Sequence, residues 1–197
     1  MRLLAFSDLH SDRRRAQRLV EMSAEADVVL CAGDLASFRL GLGRMIRALR
    51  EIVAPTLLIP GNNETDTALR RACEGWDTAA VLHGEAIEIG ATRFFGLGGG
   101  VPPTPFPFSF DLTEEHAAEL FDACPEEAVM VVHSPPKGYA DSAHGRNLGS
   151  TAVLRAIEAK HPPLVLCGHI HESWGCEATI GPTRLVNLGP DGMFFEL

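Results

Sequence analysis

Five apolar runs, each only a few residues long and each followed at once by polar or glycine-bearing residues, set the frame of this 197-residue chain. They are Arg2 to Ser7, Val28 to Ala32, Thr56 to Pro60, Ala128 to His133 and Leu164 to Cys167. Runs this short cannot make globular helices and read as buried strands. Between them, Asp12 to Ala24, Leu40 to Val53, Thr65 to Cys73, Thr113 to Ala123 and Ser150 to Lys160 read as helices. Thr113 ahead of Glu114-Glu115 gives an N-cap with acid in the first turn, and Ser150 caps a last helix that Pro162-Pro163 ends. Two hairpins are predicted, Ala86 to Ile89 with Thr92 to Leu97 and Gly175 to Ile180 with Thr183 to Asn187, followed by a strand from Met193 to Leu197. Strand–helix alternation with these antiparallel pieces predicts an α/β fold, a two-sheet mixed β-sandwich flanked by helices. Neither repeat nor linker interrupts the pattern, so one domain over residues 1–197 is expected.

Composition narrows the function classes. A formal net charge of −9 weighs against a nonspecific nucleic-acid binder, which carries a basic face. It leaves room for an enzyme whose metal ions supply local positive charge. The five cysteines are odd in number and form no Cys-x-x-Cys pair, which points to a reducing compartment. The apolar start ends at Asp8, too soon for a signal peptide, and no stretch approaches the ~18 apolar residues of a membrane span. A cytoplasmic protein without a membrane partner is expected.

The polar residues at the strand ends carry the chemistry. Asp8-Leu9-His10 follows the first run, Gly33-Asp34 the second, and Gly61-Asn62-Asn63-Glu64 the third. The fourth ends at His133-Ser134-Pro135, and the fifth leads into Gly168-His169-Ile170-His171. Loops beyond the carboxyl ends of strands converge in α/β folds. Five loops can therefore bring Asp8, His10, Asp34, Asn62, His133, His169 and His171 to one place. Imidazole, carboxylate and amide without thiolate suit Mn, Fe, Zn or Co rather than a structural thiolate zinc. The Asp-x-His and His-x-His spacings are expected to place both donors on one side of an extended segment. Seven donors exceed the needs of one tetrahedral ion and suit two ions sharing a carboxylate.

These blocks, in this order over residues 8 to 171, resemble those of the calcineurin-like metallophosphoesterase family, and His133-Ser134-Pro135-Pro136-Lys137-Gly138 resembles its compact prokaryotic Icc-like members. The resemblance implies the two-sheet fold and a dinuclear site. Asp8, His10, Asp34 and His171 would hold one divalent ion, and Asp34, Asn62, His133 and His169 the other, with Asp34 as bridge. It implies a phosphoesterase, a phosphodiesterase before a phosphomonoesterase, in which water activated by the two ions attacks phosphorus. The implied substrate is a small molecule or a nucleotide. The alternatives are a nuclease and a non-enzymatic metal-binding interaction module on the same fold. The chain departs from the family at Asn63, where most members carry a histidine beside the phosphate. Asparagine donates a hydrogen bond but is no acid near pH 7.

The remaining signals are assigned more plainly. His144 and Arg146, in the loop from Ser134 to Gly149, are candidate substrate contacts, since the arginine fork matches phosphate oxygens. His83 falls in a turn, His116 in a first helical turn, and His161 at a helix C-terminus. Gly96-Leu97-Gly98-Gly99-Gly100 is no dinucleotide motif, because Val101-Pro102-Pro103 follows instead of a helix. Gly98 to Phe110 is expected to be a mobile loop, and Arg13-Arg14-Arg15 a solvated helix face.

Overall fold

A computed structural model describes residues 1–197. Its first sheet has the order β13-β1-β2-β3-β4, with β1 Arg2–Phe6, β2 Val28–Cys31, β3 Thr56–Leu58, β4 Ala79–Val81 and β13 Met193–Glu196. The first four run parallel and β13 closes one edge antiparallel. The second sheet has the order β11-β12-β10-β7-β6-β5, with β5 Glu85–Ile89, β6 Thr92–Leu97, β7 Val129–Val132, β10 Leu164–Cys167, β11 Glu177–Ile180 and β12 Thr183–Asn187. Its four central strands are parallel and its two edges antiparallel.

Alternation along the strands builds three apolar layers. Leu3, Ala5, Val28 and Leu30 meet Phe94, Val131, Leu166 and Val186 between the sheets. Leu4, Phe6, Val29 and Cys31 face outward, under α1 Arg13–Ser23, α2 Leu42–Leu49 and α3 Asp66–Cys73. Phe95, Leu97, Met130, Val132 and Val165 do the same on the other side, under α4 Glu114–Phe121 and α5 Thr151–Lys160. Both faces of every central strand are thus covered, which is why the strands read as unbroken apolar runs.

The expected caps are present. Thr113 accepts from His116 N, Ser150 accepts from Val153 N, and Glu114 reaches across to the N-terminus of α5, accepting from Thr151 N and Ala152 N. His161 caps the end of α5 in the left-handed region. Helix α2 begins later than the sequence suggests. Phe38 and Arg39 have positive φ, Ser37 and Leu40 close a turn, and Gly41 at φ +87 starts the helix. The loop from Ser134 to Gly149 holds a small hairpin, β8 Ser142–Ala143 and β9 Arg146–Asn147, which the sequence did not announce. The loop from Gly98 to Phe110 is braced by Asp111, which accepts from Thr104 N, Thr104 Oγ1 and Ser109 Oγ. No helix is long and apolar enough to cross a membrane.

Candidate metal centre

The carboxyl ends of the parallel strands of both sheets meet at one edge of the sandwich, and their loops form two groups of donors there. Asp8, His10 and His171 make one, and Asp34, His133 and His169 the other; within each group the ligand atoms lie within 4.8 Å of one another. Each group draws on both sheets. Asp34 stands between them: its Oδ2 lies 3.5 Å from His10 Nε2 and its Oδ1 lies 3.6 Å from His133 Nε2.

The sandwich positions these atoms tightly. Asp8 N donates to Gly33 O and His10 N to Asp34 O, which ties the first loop to the second. Asp8, His10, Asp34 and His169 all adopt positive φ, a conformation that costs L-residues energy and collects at functional sites. The extended geometry expected for Asp-x-His and His-x-His is therefore overturned. Asp8-Leu9-His10 is a turn, and His169 and His171 serve different groups, because His171 opens a short 3-10 turn, His171–Ser173. The motif glycines have a steric reason. A Cβ on Gly61 would strike Asp34 Oδ1, and one on Gly168 would sit 2.5 Å from Asp8 Oδ2.

The hydrogen bonds around the donors test whether cations fit. His133 Nδ1 faces Ala32 O at 2.8 Å and His10 Nδ1 faces Ala36 O at 3.2 Å. Those carbonyls assign the ring proton to Nδ1, so each Nε2 turns a lone pair inward. His133 Nε2 meets Asn62 Oδ1 at 3.2 Å, and His169 Nδ1 meets the same oxygen at 3.1 Å. The Asn62 amide is oriented by its Nδ2, which donates to Ser109 Oγ. His10 Nε2 meets His171 Nε2 at 3.0 Å. At His133 Nε2 and Asn62 Oδ1 an acceptor faces an acceptor, an arrangement that repels unless positive charge lies between them, so this pair fits a divalent ion.

Electrostatics agree. Burial raises the Asp8 carboxyl, with Asp34 adding to it, although His133 opposes. Burial would also raise Asp34, but His133, His10 and the Asn63 N–H outweigh it and hold Asp34 low. Burial works against the His133 cation, yet Asp34 and Asp8 raise it. Burial and the neighbouring His133 push His169 down to about 3, and burial also lowers His171.

Several supporting residues escaped the sequence reading. Asp8 Oδ2 accepts from Ser7 Oγ at 2.6 Å, Trp174 Nε1 at 3.1 Å and His169 N at 3.1 Å. The Trp174 ring also lies 4.4 Å from that of His171. Glu64 is buried and joins the second and third loops, accepting from Leu35 N, Ala36 N and Gly61 N. Burial and nearby Asp34 push its carboxyl up to about 7.

Asn63 lies beside the centre with its amide engaged: Nδ2 donates to Asp34 Oδ2, its N–H to Asp34 Oδ1, and its Oδ1 accepts from Phe38 N. His144 is exposed on the small hairpin and pairs with Glu172 at 3.0 Å, next to His171. Arg146 is exposed on the same hairpin. His83 is half-buried against Phe110, and its ring nitrogen accepts from Gly98 N.

The family model of the calcineurin-like phosphoesterase superfamily domain matches residues 1–194. The chain belongs to that superfamily. Members depend on metal, and this chain carries two groups of candidate metal ligands. A UPF0046 protein of Caenorhabditis elegans is 31% identical over 107 residues, which are 54% of this chain and 36% of the relative. The matched part is thus about a third of that relative's length. Among solved structures, TT1561 of Thermus thermophilus superposes with a TM-score of 0.77 at 18% identity, over 96% of this chain and 90% of that one. A dimetal phosphatase from Danio rerio gives 0.65 at 13% identity, over 96% and 88%. At these identities the likeness is one of fold.

Proposed function

We propose that the chain hydrolyses a phosphodiester with two divalent ions, one held by Asp8, His10, Asp34 and His171 and the other by Asp34, Asn62, His133 and His169. The observation that carries this reading is the convergence of ring nitrogens and carboxylate oxygens from both groups on either side of Asp34. Mn, Fe, Zn and Co all suit such donors. Bound divalent ions supply a lowered water pKa and neutralise charge on phosphoryl oxygens. The protein's own part is to orient the donors. His133 and His10 are locked by carbonyls, Asn62 by Ser109, and Asp34 by both nitrogens of Asn63.

A diester fits the rim better than a monoester. A monoester brings a second negative charge near pH 7, and two of the cationic side chains on these loops already donate to backbone carbonyls. Arg39 donates to Phe108 O, Lys137 to Asn147 O, and His144 is paired with Glu172. Arg146 is the cation left to contact a phosphate from that hairpin, with His144 beside it.

Asn63 holds Asp34 and offers no acidic proton, so leaving groups that depart without protonation should react best. Asn63→His should raise turnover of alkyl esters more than of aryl esters, since a general acid is worth ~10²–10⁴-fold. Equal change for both would remove this position from leaving-group chemistry.

A nuclease is the second reading, favoured by one feature. Arg13 and Arg14 of α1 and Arg44 and Arg47 of α2 line a groove of about 610 Å³. None of the four pairs with an acid, whereas Arg15 pairs with Asp12 and Asp191. A screen of chelated and metal-reloaded protein separates the readings, using bis-aryl diesters, monoesters, cyclic nucleotides and single-stranded nucleic acid. Metal-restored turnover of the small diesters supports the proposal. Turnover of the polynucleotide alone supports a nuclease, and no turnover with full metal content supports a non-enzymatic module.

A further inference from the structure

Beside the metal centre lies an apolar surface that the chemistry above does not use. Phe38, Leu40, Phe106 and Phe108 are 68%, 71%, 54% and 40% exposed. They come from two loops, one after β2 in the first sheet and one after β6 in the second. The rings nevertheless meet. Phe38 and Phe108 pack edge to face with centroids 5.5 Å apart, and Phe106 stacks on Phe108 at 6.0 Å with 22° between planes.

Both loops are fastened to the centre. Phe38 N donates to Asn63 Oδ1, and Asn63 in turn grips Asp34. Phe110 N donates to Asn62 O, and Ser109 Oγ accepts from Asn62 Nδ2. Arg39 Nε donates to Phe108 O and ties the loops together. These anchors are made largely by backbone groups and would hold with any side chain at 38, 106 or 108. Exposed phenylalanine gains nothing from them, since an aromatic ring left in water forgoes its burial energy. The cluster therefore calls for an occupant.

Three rings and one leucine fall far short of the ~800 Å² per partner that a stable protein interface buries. They match the size of one small organic group. Rings already arranged edge to face and nearly parallel favour another flat ring over a flexible chain, because offset and T-shaped contacts both remain open to it.

We propose that Phe38, Phe106 and Phe108 form a specificity surface for a planar aromatic group, such as an aryl ring or a nucleobase, carried by the phosphoester. This rests on the metal-centre reading for the phosphate and adds the chemistry of the organic part. Phe38 is one hydrogen bond from Asn63, and Phe108 precedes Ser109, which bonds Asn62, so a ring bound on the surface stays within reach of a phosphate at the ions.

Phosphonates test it without hydrolysis, because their C–P bond is not an ester. Calorimetry should be run with methyl-, cyclohexyl-, octyl- and phenylphosphonate on protein in Mn²⁺ and in EDTA. Phenylphosphonate is expected to bind ~5-fold or more tighter than methylphosphonate in Mn²⁺, the low end of what one aromatic stack gives. Phe38→Ser with Phe108→Ser should erase that advantage and leave methylphosphonate affinity unchanged. The exposed positions make the variants tolerable for folding, and a retained thermal transition checks this. An equal gain for cyclohexyl- or octylphosphonate overturns the preference for a flat ring. No gain for phenylphosphonate, or no binding of any of the series, overturns the surface itself. Failure of the metal-centre reading is separate: the phenyl preference would then persist in EDTA.

Discussion

The two halves of the centre use the same residue types and are held in different ways. Around Asp34, His133 is fully buried and the Asn62 amide is fixed by Ser109, so this half is continuous with the core between the sheets. Around Asp8, the His10 and His171 side chains are 28% and 49% exposed, and only the carboxylate is buried. The difference follows from the elements. His133 directly follows a central strand, whereas His10 and His171 sit in turns further beyond theirs. The first half belongs to the fold as much as to the chemistry, and the second belongs to the chemistry. Stability and metal binding should separate accordingly.

The largest effect should come where the halves meet. Asp34→Asn removes the charge that both groups share, so it should lower the content of both ions. Activity should fall beyond the ~10–100-fold typical of losing a mere outer-sphere partner. Elemental analysis after exhaustive dialysis reads this directly. Two ions retained per chain would show that Asp34 does not join the halves.

Next comes the contrast itself. His133→Ala empties a buried site and leaves the Ala32 carbonyl without its donor, at a cost of about 2–4 kcal/mol. His171→Ala changes a half-exposed ring and should leave metal-free stability within about 0.5 kcal/mol of wild type. Both should lose metal. Denaturant titration in EDTA beside metal titration shows whether the two properties part in this way. Equal destabilisation would erase the distinction.

A subtler change probes the open half alone. Trp174→Phe keeps a ring against His171 and deletes the N–H given to Asp8 Oδ2. Affinity for one ion should weaken by about 10–100-fold while the other is unaffected. Loss at both sites would mean that Trp174 supports the loop as a whole rather than Asp8.

The strands were legible because each is covered on both faces and so appears as an apolar run. The six side chains that gather in two groups were legible because each stands at the end of such a run or just beyond it. What failed was local backbone geometry. Nothing in Asp8-Leu9-His10 declares a positive φ, since that conformation is imposed by bonds to Gly33 and Asp34 from another loop. Trp174 belongs to no ligand-type motif, and its role depends on the 3-10 turn that swings it toward Asp8. Glu64 was visible within Gly61-Asn62-Asn63-Glu64, but its function is to accept three backbone N–H groups from two loops, a pattern that spacing cannot show. The aromatic cluster was hidden for the same reason, as its members come from loops that follow strands of different sheets.

Glu64 gives the last and smallest test, confined to the buried half. Its folded carboxyl is pushed up to about 7 from a reference of 4.5, by burial and then by Asp34. A raised acid holds its proton longer in the folded state than in the unfolded one. Its stabilising contribution is full below pH 4.5 and is lost as pH rises toward 7. In EDTA, wild type should therefore lose on the order of 1–2 kcal/mol relative to Glu64→Gln between about pH 5 and 7. Comparing the two proteins reads this residue together with its coupling to His133, whose cation Glu64 helps to raise. The lowered His171 works in the opposite sense in both. Chemical denaturation at half-unit pH steps gives the difference curve. A flat difference would show that Glu64 is ionised throughout and that its three backbone donors outweigh burial. The buried half would then be as well solvated, electrostatically, as the open one.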